Sequence, residues 1–156
     1  MKFTKFRVFN YRNVHDSGLI DISEITAFVG QNEAGKSNLF EALYRVNPFD
    51  EQAKYRFEED WPVDKWGDKN PKAKVCEAFF ELDSSDISAL FDACTAAMNA
   101  VDDDEEGKPP KLPAPPKELT ICGHRRYGHT SHFYVVGDLS KVLKSEVRNS
   151  ITPISI

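Results

Sequence analysis

Apolar and polar positions alternate from the start of the chain. In "FTKFRVF", residues 3–9, Thr4, Phe6 and Val8 take one side and Lys5, Arg7 and Phe9 the other. The aromatic and β-branched content favours a strand. "NYRNVHDSG" is rich in Asn, Asp, Ser and Gly and reads as a connection. "LIDIS", 19–23, is a second short strand anchored by Leu19 and Ile22, and "EITAFVG", 24–30, is a third. The third is apolar at nearly every position from Ile25 to Val29, which predicts a strand covered on both faces, as at the centre of an α/β sheet.

From Lys36 the period changes. Leu39, Leu43 and Val46 recur at spacings of three and four, with Phe40 and Tyr44 beside them, which predicts a helix over 36–46. Asn47-Pro48 ends it, because Pro48 disfavours the α conformation at the residue before it. Residues 49–73 are polar and irregular and hold both tryptophans, Trp61 and Trp66, read as packing residues. A strand over 72–83 and a helix over 84–101 follow, the helix capped by Ser84 or Ser85 and striped by Ile87, Leu90, Phe91, Cys94 and Met98. Residues 102–117, "DDDEEGKPPKLPAPPK", switch to acidic and then Pro-rich composition, which predicts an exposed flexible loop. A hairpin around Tyr127-Gly128 spans 118–136, and "SKVLKSEVRNS", 140–150, reads as a last helix.

Composition narrows the class. A length of 156 residues suits one domain with a real core. The formal net charge of -5 argues against bulk electrostatic wrapping of DNA, though not against a local basic face. No apolar run approaches the roughly 20 residues that span a bilayer, and the basic, alternating N-terminus does not resemble a signal peptide. Cys76, Cys94 and Cys122 are odd in number and widely spaced, which reads as reduced thiols in the cytoplasm.

The chemistry concentrates in "FVGQNEAGKSN", where Gly30, Gly35, Lys36 and Ser37 fit the phosphate-binding pattern G-x-x-x-x-G-K-S/T. Glycines without a Cβ let a loop wrap a polyphosphate and point successive N–H groups inward. The N-terminus of the following helix adds partial positive charge. Lys36 is placed to reach the β- and γ-phosphates, and Ser37 to supply one of the octahedral oxygens of Mg²⁺. Hydrolysis also needs a metal-holding carboxylate at the end of another apolar strand. The nearest match, "HFYVVGD", is interrupted by Gly137 and has no Glu after Asp138, so the site in these residues is incomplete.

With those motifs in place, "FRVFNYRNVHDSGLIDISEITAFVGQNEAGKSNLFEAL" resembles the opening of RecF/SMC-type ABC ATPases. The matching features are the turn Asn10-Tyr11-Arg12-Asn13 and the loop Gly30 to Asn38, with Asn32 at the family's Asn position. SMC heads usually carry a glycine where Glu33 stands. That departure, and "NEAGKSNLFEALYRVNPFD" followed by "EEDWP", are most similar to the OLD (overcoming lysogenisation defect) nucleases and the Gabija-type defence ATPases.

The resemblance implies an α/β fold: the P-loop NTPase lobe of an ABC/SMC-type head, with a mixed, partly antiparallel sheet around the P-loop helix. It implies ATP and Mg²⁺ as ligands of Gly30, Gln31, Asn32, Glu33, Ala34, Gly35, Lys36, Ser37 and Asn38. It also implies a C-terminal lobe carrying the remaining motifs, a second head in a dimer, and DNA as the substrate of the full protein, with a Toprim nuclease in OLD-type members. Residues 1–156 are accordingly expected to be an N-terminal part of such a head, acting in phage defence or DNA repair. In the family a residue between the P-loop helix and the next strand reaches the metal or the attacking water. Asp60 is the positional candidate for that role, set against a solvated acid among acids. Arg12 is a candidate nucleotide contact, set against a surface charge.

Two other constellations carry less. Cys122, His124, His129 and His132 could suggest a metal, but strand alternation and a turn scatter them, and a polar hairpin face is the better reading. Arg125 and Arg126, with Lys141, Lys144 and Arg148, could face DNA or could form a solvated surface, the reading preferred. A complete small P-loop kinase or GTPase is the alternative enzyme class. No N-K-x-D base reader is found, however, and the acidic loop is the opposite of an Arg-rich lid. A binding module that uses nucleotide only as a structural ligand is the non-enzymatic alternative.

Overall fold

The computed structural model describes residues 1–31, 35–50, 52–99, 112–137 and 139. Residues 102–111 of the loop expected at 102–117, the helix expected at 140–150 and the side chain of Met98 lie outside the described residues. Strands β1 (Lys2–Tyr11), β2 (Val14–Asp16) and β3 (Ile20–Asp21) come first. Helix α1 (Lys36–Tyr44), the single turn α2 (Phe57–Asp60) and a 3₁₀ segment, Val63–Asp68, follow. Strand β4 (Lys74–Leu82), helix α3 (Ser84–Asn99) and the hairpin β5 (Leu119–Arg126) and β6 (His132–Val135) complete the order. The strands pair as β2–β1–β4–β5–β6, with β3 also on β1. β2 and β3 both run antiparallel to β1. Such a sheet with helices fits an α/β P-loop ATPase-like fold.

The chain divides into two compact units, each with its own core. One comprises residues 3–79 and 123–132. Its core joins Phe6, Val8 and Tyr11 of β1, Ala42 and Val46 of the α1 region, Val75 and Cys76 of β4, and Tyr55, Trp61 and Tyr127. Alternation on β1 accounts for this: Phe6 and Val8 point inward, while Lys5 and Arg7 point out and find acids on the short strands. Lys5 lies directly opposite Asp21 with Nζ 3.2 Å from Oδ1, and Arg7 forms a two-pronged pair with Asp16. Opposite charges facing each other across a ladder stabilise strands too short to hold by themselves.

The other unit comprises residues 1–2, 80–122 and 133–156. Leu82, Ile87, Phe91, Cys94, Leu119, Ile121 and Val135 form its core, so the expected α3 stripe is the buried one. α3 is capped by Asp83 rather than by Ser84 or Ser85. Asp83 Oδ1 accepts the backbone N–H groups of Ser85 at 2.9 Å and Asp86 at 3.0 Å, and Asp86 Oδ2 accepts the Asp83 N–H in return. A carboxylate satisfies two orphan N–H groups where a serine hydroxyl satisfies one.

Three further expectations change. Residues 14–16, read as connection, form β2, because Asn10 and Arg12 adopt positive φ of 45° and 51° and fold the chain straight back on β1. Residues 24–30, read as a buried strand, pair with no described strand, and Ile25 and Val29 are 89% and 93% exposed. Apolar content suits a central strand only when neighbours supply ladders on both sides. Trp61 is buried with its indole N–H on the Lys65 carbonyl, as expected, whereas Trp66 is about half exposed under the Lys69 ammonium.

Candidate functional site

The site is built on the N-terminus of α1. Gly35 precedes the helix at φ 88°, ψ 6°, a left-handed conformation that any side chain resists. Space excludes a side chain as well. A Cβ on Gly35 would stand 2.8 Å from Asn13 Oδ1. Asn13 in turn accepts the side-chain amide of Asn38 at 2.8 Å. The first intrahelical bond runs from the Leu39 N–H to the Gly35 carbonyl, so the N–H groups of Lys36, Ser37 and Asn38 stand at the open end of the helix. Lys36 turns its ammonium onto the carbonyls of Gly30 and Gln31. Two of its three N–H groups are thereby used to hold the loop. Ser37 is exposed.

The described members of the sequence-derived set thus converge: Gly30, Gln31, Gly35, Lys36, Ser37 and Asn38 lie at one helix end. Asn32, Glu33 and Ala34 lie outside the described residues. These side chains fit a polyphosphate, since the left-handed glycine, the open N–H groups and the ammonium all favour negative charge. The hydroxyl of Ser37 could give Mg²⁺ one oxygen ligand. Among the described residues no group of three or more His, Cys, Asp or Glu is arranged for a metal.

Arg12 and Asp60 are drawn to the same helix. Arg12 is neither a lone surface charge nor open to solvent on all sides. Its guanidinium donates to Asn38 Oδ1 at 3.2 Å, to Glu41 at 2.6 and 3.0 Å, and to Asp60 Oδ1 at 3.1 Å. Asp60 is 1% exposed, so the solvated reading of this acid does not hold. Its second oxygen accepts Arg45 Nη1 at 2.7 Å and the Arg56 N–H at 2.8 Å. Arg45 closes the figure on Glu41 Oε1 at 2.5 Å. Glu41 and Arg45 escaped the sequence reading, and Asn13 entered it only as part of the turn at residues 10–13. The spacing of Asn38, Glu41 and Arg45, three and then four residues along one helix face, was the available signal.

The far end of α1 is tied down by a residue read as solvent- or DNA-facing. Arg125 is 7% exposed. Alternation on β5 turns it inward, and Nη1 donates to the Arg45 carbonyl at 2.6 Å while Nε donates to the His129 carbonyl at 3.1 Å. Ser131 donates to the Val46 carbonyl. Burial lowers the Arg125 pKa, against help from Tyr55, but a guanidinium stays charged. A cation at a helix C-terminus meets its unsatisfied carbonyls and the negative end of its dipole. α1 is therefore held at one end by the turn at residues 10–13 and at the other by the β5–β6 hairpin.

The open N–H groups and the ammonium at the head of this helix suit an anion, and comparison with known proteins gives the class. The model of the AAA ATPase domain matches residues 1–122, and the chain belongs to that family. An uncharacterized protein of Methanocaldococcus jannaschii is 35% identical over 89 residues, which cover 55% of this chain and 26% of that relative. The chain thus matches about a quarter of the relative's length. A solved structure, described as structural biochemistry of ATP-driven dimerization and DNA-stimulated activation of SMC ATPases, aligns with 92% of this chain and 76% of its own. That alignment has 18% identity and a TM-score of 0.44, too loose a likeness to carry an argument.

Proposed function

We propose that these residues form the P-loop lobe of an OLD-like ATPase of the RecF/SMC type, binding ATP with Mg²⁺ through Gly30, Gln31, Asn32, Glu33, Ala34, Gly35, Lys36, Ser37 and Asn38. The observation that carries the reading is the left-handed Gly35 beneath Asn13, with the Lys36 ammonium folded onto the loop carbonyls. In this reading the N–H groups of Lys36, Ser37 and Asn38 and the remaining Lys36 N–H cradle the phosphates, and Ser37 gives one oxygen to the metal. Bound Mg²⁺ supplies charge neutralisation on the phosphate oxygens.

The whole machine, in the same proposal, hydrolyses ATP with a C-terminal lobe and a second head, acts on DNA, and serves in phage defence or DNA repair. Two features support a missing lobe. Residues 24–29 are an apolar stretch without a described strand partner, and Phe28 alone of its large side chains packs inward, against Phe6 and Phe40. Among the described residues, the carboxylates Glu41 and Asp60 are engaged by arginines, which favours a hydrolytic acid supplied from elsewhere.

Titration with a fluorescent ATP analogue and Mg²⁺, followed by phosphate release, tests this. Wild type should bind without turnover, and Lys36→Ala should bind at least ~100-fold more weakly, about 2.7 kcal/mol. Equal binding by a folded Lys36→Ala variant would remove the site assignment.

A further inference from the structure

Asp60 was the positional candidate for a metal or water ligand, yet among the described residues its side-chain bonds run to Arg12, Arg45 and the Arg56 N–H. Arg12, Glu41, Arg45 and Asp60 alternate in sign around a closed ring. Such a ring of partly buried charges is stable only while every member is present, because removing one strands the others in a low dielectric. Its two carboxylates stand on different elements, Glu41 on α1 and Asp60 at the end of α2. The ring therefore grips α1 at Glu41 and Arg45, one turn apart.

The backbone of Asp60 acts on the same turn. Its carbonyl accepts the Arg12 N–H at 2.6 Å and lies 3.0 Å from the Tyr127 hydroxyl, whose single proton is shared between it and the nearer Asn10 carbonyl at 2.6 Å. Asn10 and Arg12 are the described non-glycine residues with positive φ. Each costs on the order of 1 kcal/mol or more, so the turn persists only because its surroundings over-determine it. What the turn presents to the P-loop is Asn13, seated against Gly35 and bonded to Asn38.

We propose that Asp60 is a positioning residue for the nucleotide site. With Arg12 and Arg45 it fixes the strained turn, and through Asn13 the turn sets Gly35 and the α1 N-terminus, without Asp60 touching the metal ion. This rests on the nucleotide-binding reading above. It accounts for a buried acid where the family pattern places a ligand, and for the burial of that acid among arginines rather than beside Ser37.

A double-mutant cycle with Asp60→Asn and Asn13→Ala decides it, using the fluorescent ATP analogue with and without Mg²⁺ at a temperature where circular dichroism shows each variant folded. Each single change should weaken binding roughly 10-fold, by the same factor with and without metal, and the double should be no weaker than the weaker single. A loss confined to the Mg²⁺ titration would make Asp60 a metal ligand and overturn the proposal. So would wild-type affinity in folded Asp60→Asn, or fully additive losses. Failure of wild type to bind, or indifference to Lys36→Ala, would instead sink the nucleotide reading. Amide hydrogen exchange without nucleotide would then still decide the positioning link. Faster exchange at Ser37 to Leu39 in folded Asp60→Asn supports it, and unchanged exchange overturns it.

Discussion

Asn13 Oδ1 occupies the space beside Gly35 so closely that a methyl group there would stand 2.8 Å from it. The residue before the helix is thus glycine for two independent reasons, its φ of 88° and its neighbour. Gly35→Ala should lose nucleotide binding and destabilise the lobe by roughly 1–3 kcal/mol, the cost of a strained non-glycine conformation plus displacement of Asn13. Adding Asn13→Ala should recover only the steric part. Chemical denaturation of the two variants separates these contributions, and full recovery in the double would show that backbone conformation contributes nothing.

Arg125 makes a comparable commitment at the other end of α1. Replacing it with Met removes donors from the carbonyls of Arg45 and His129 in a partly buried place, and leaves a side chain without the charge those carbonyls favour. The expected cost is about 2–4 kcal/mol. Lys should not restore it, since a single ammonium cannot reproduce a guanidinium that serves the carbonyls of Arg45, Ala53 and His129 in different directions. Urea midpoints of wild type, Arg125→Met and Arg125→Lys measure this. Near-identical midpoints would mean that the hairpin does not hold the helix.

These two residues mark what a sequence can and cannot reveal. The Gly35-Lys36-Ser37 motif and the helix after it were legible from their own residues, whatever surrounds them. β1, α1, β4, α3 and the β5–β6 hairpin were legible because their apolar periods are strong. Asp60 and Arg125 were not, because a charged side chain in a polar segment looks the same whether it meets water or a buried partner far away in sequence. Asp60 meets Arg12 across 48 positions and Arg125 meets Arg45 across 80. The segment 24–30 misled for the converse reason. Its composition reports that it can be buried, and burial depends on which strands stand beside it. β2 was hidden by its turn, since left-handed Asn10 and Arg12 carry no glycine to announce them.

The exposed apolar stretch carries its own consequence. Ile25 and Val29, with Phe40 and Tyr44 about half exposed on α1, present more apolar surface than a solitary lobe ordinarily shows to water. The chain should self-associate weakly, and Ile25→Ser with Val29→Ser should reduce this without lowering the melting temperature, because neither side chain is in the core. Sedimentation velocity over a concentration series tests it. Sedimentation independent of concentration in wild type would remove the expectation.

Acid should weaken the lobe through His124. Burial, then Lys74, Arg126 and His132, lower its pKa from 6.5 to about 4, with Glu77 acting in the opposite sense. An unfolded chain protonates this imidazole below about 6.5, whereas the folded chain resists until about 4. The unfolded state therefore binds more protons throughout that window, and stability falls as pH drops from 6.5 towards 4. His124 is partly exposed, so the loss should be on the order of 1–2 kcal/mol, about half that of a fully buried group with the same shift. His124→Gln keeps a polar side chain and removes the titration. Unfolding free energies at several pH values should show a shallower slope between 6.5 and 4 in the variant than in wild type. Parallel slopes would assign the acid sensitivity in that window to other groups, and not to Asp16, whose pair with Arg7 holds its pKa at about 2 and so places its contribution at lower pH.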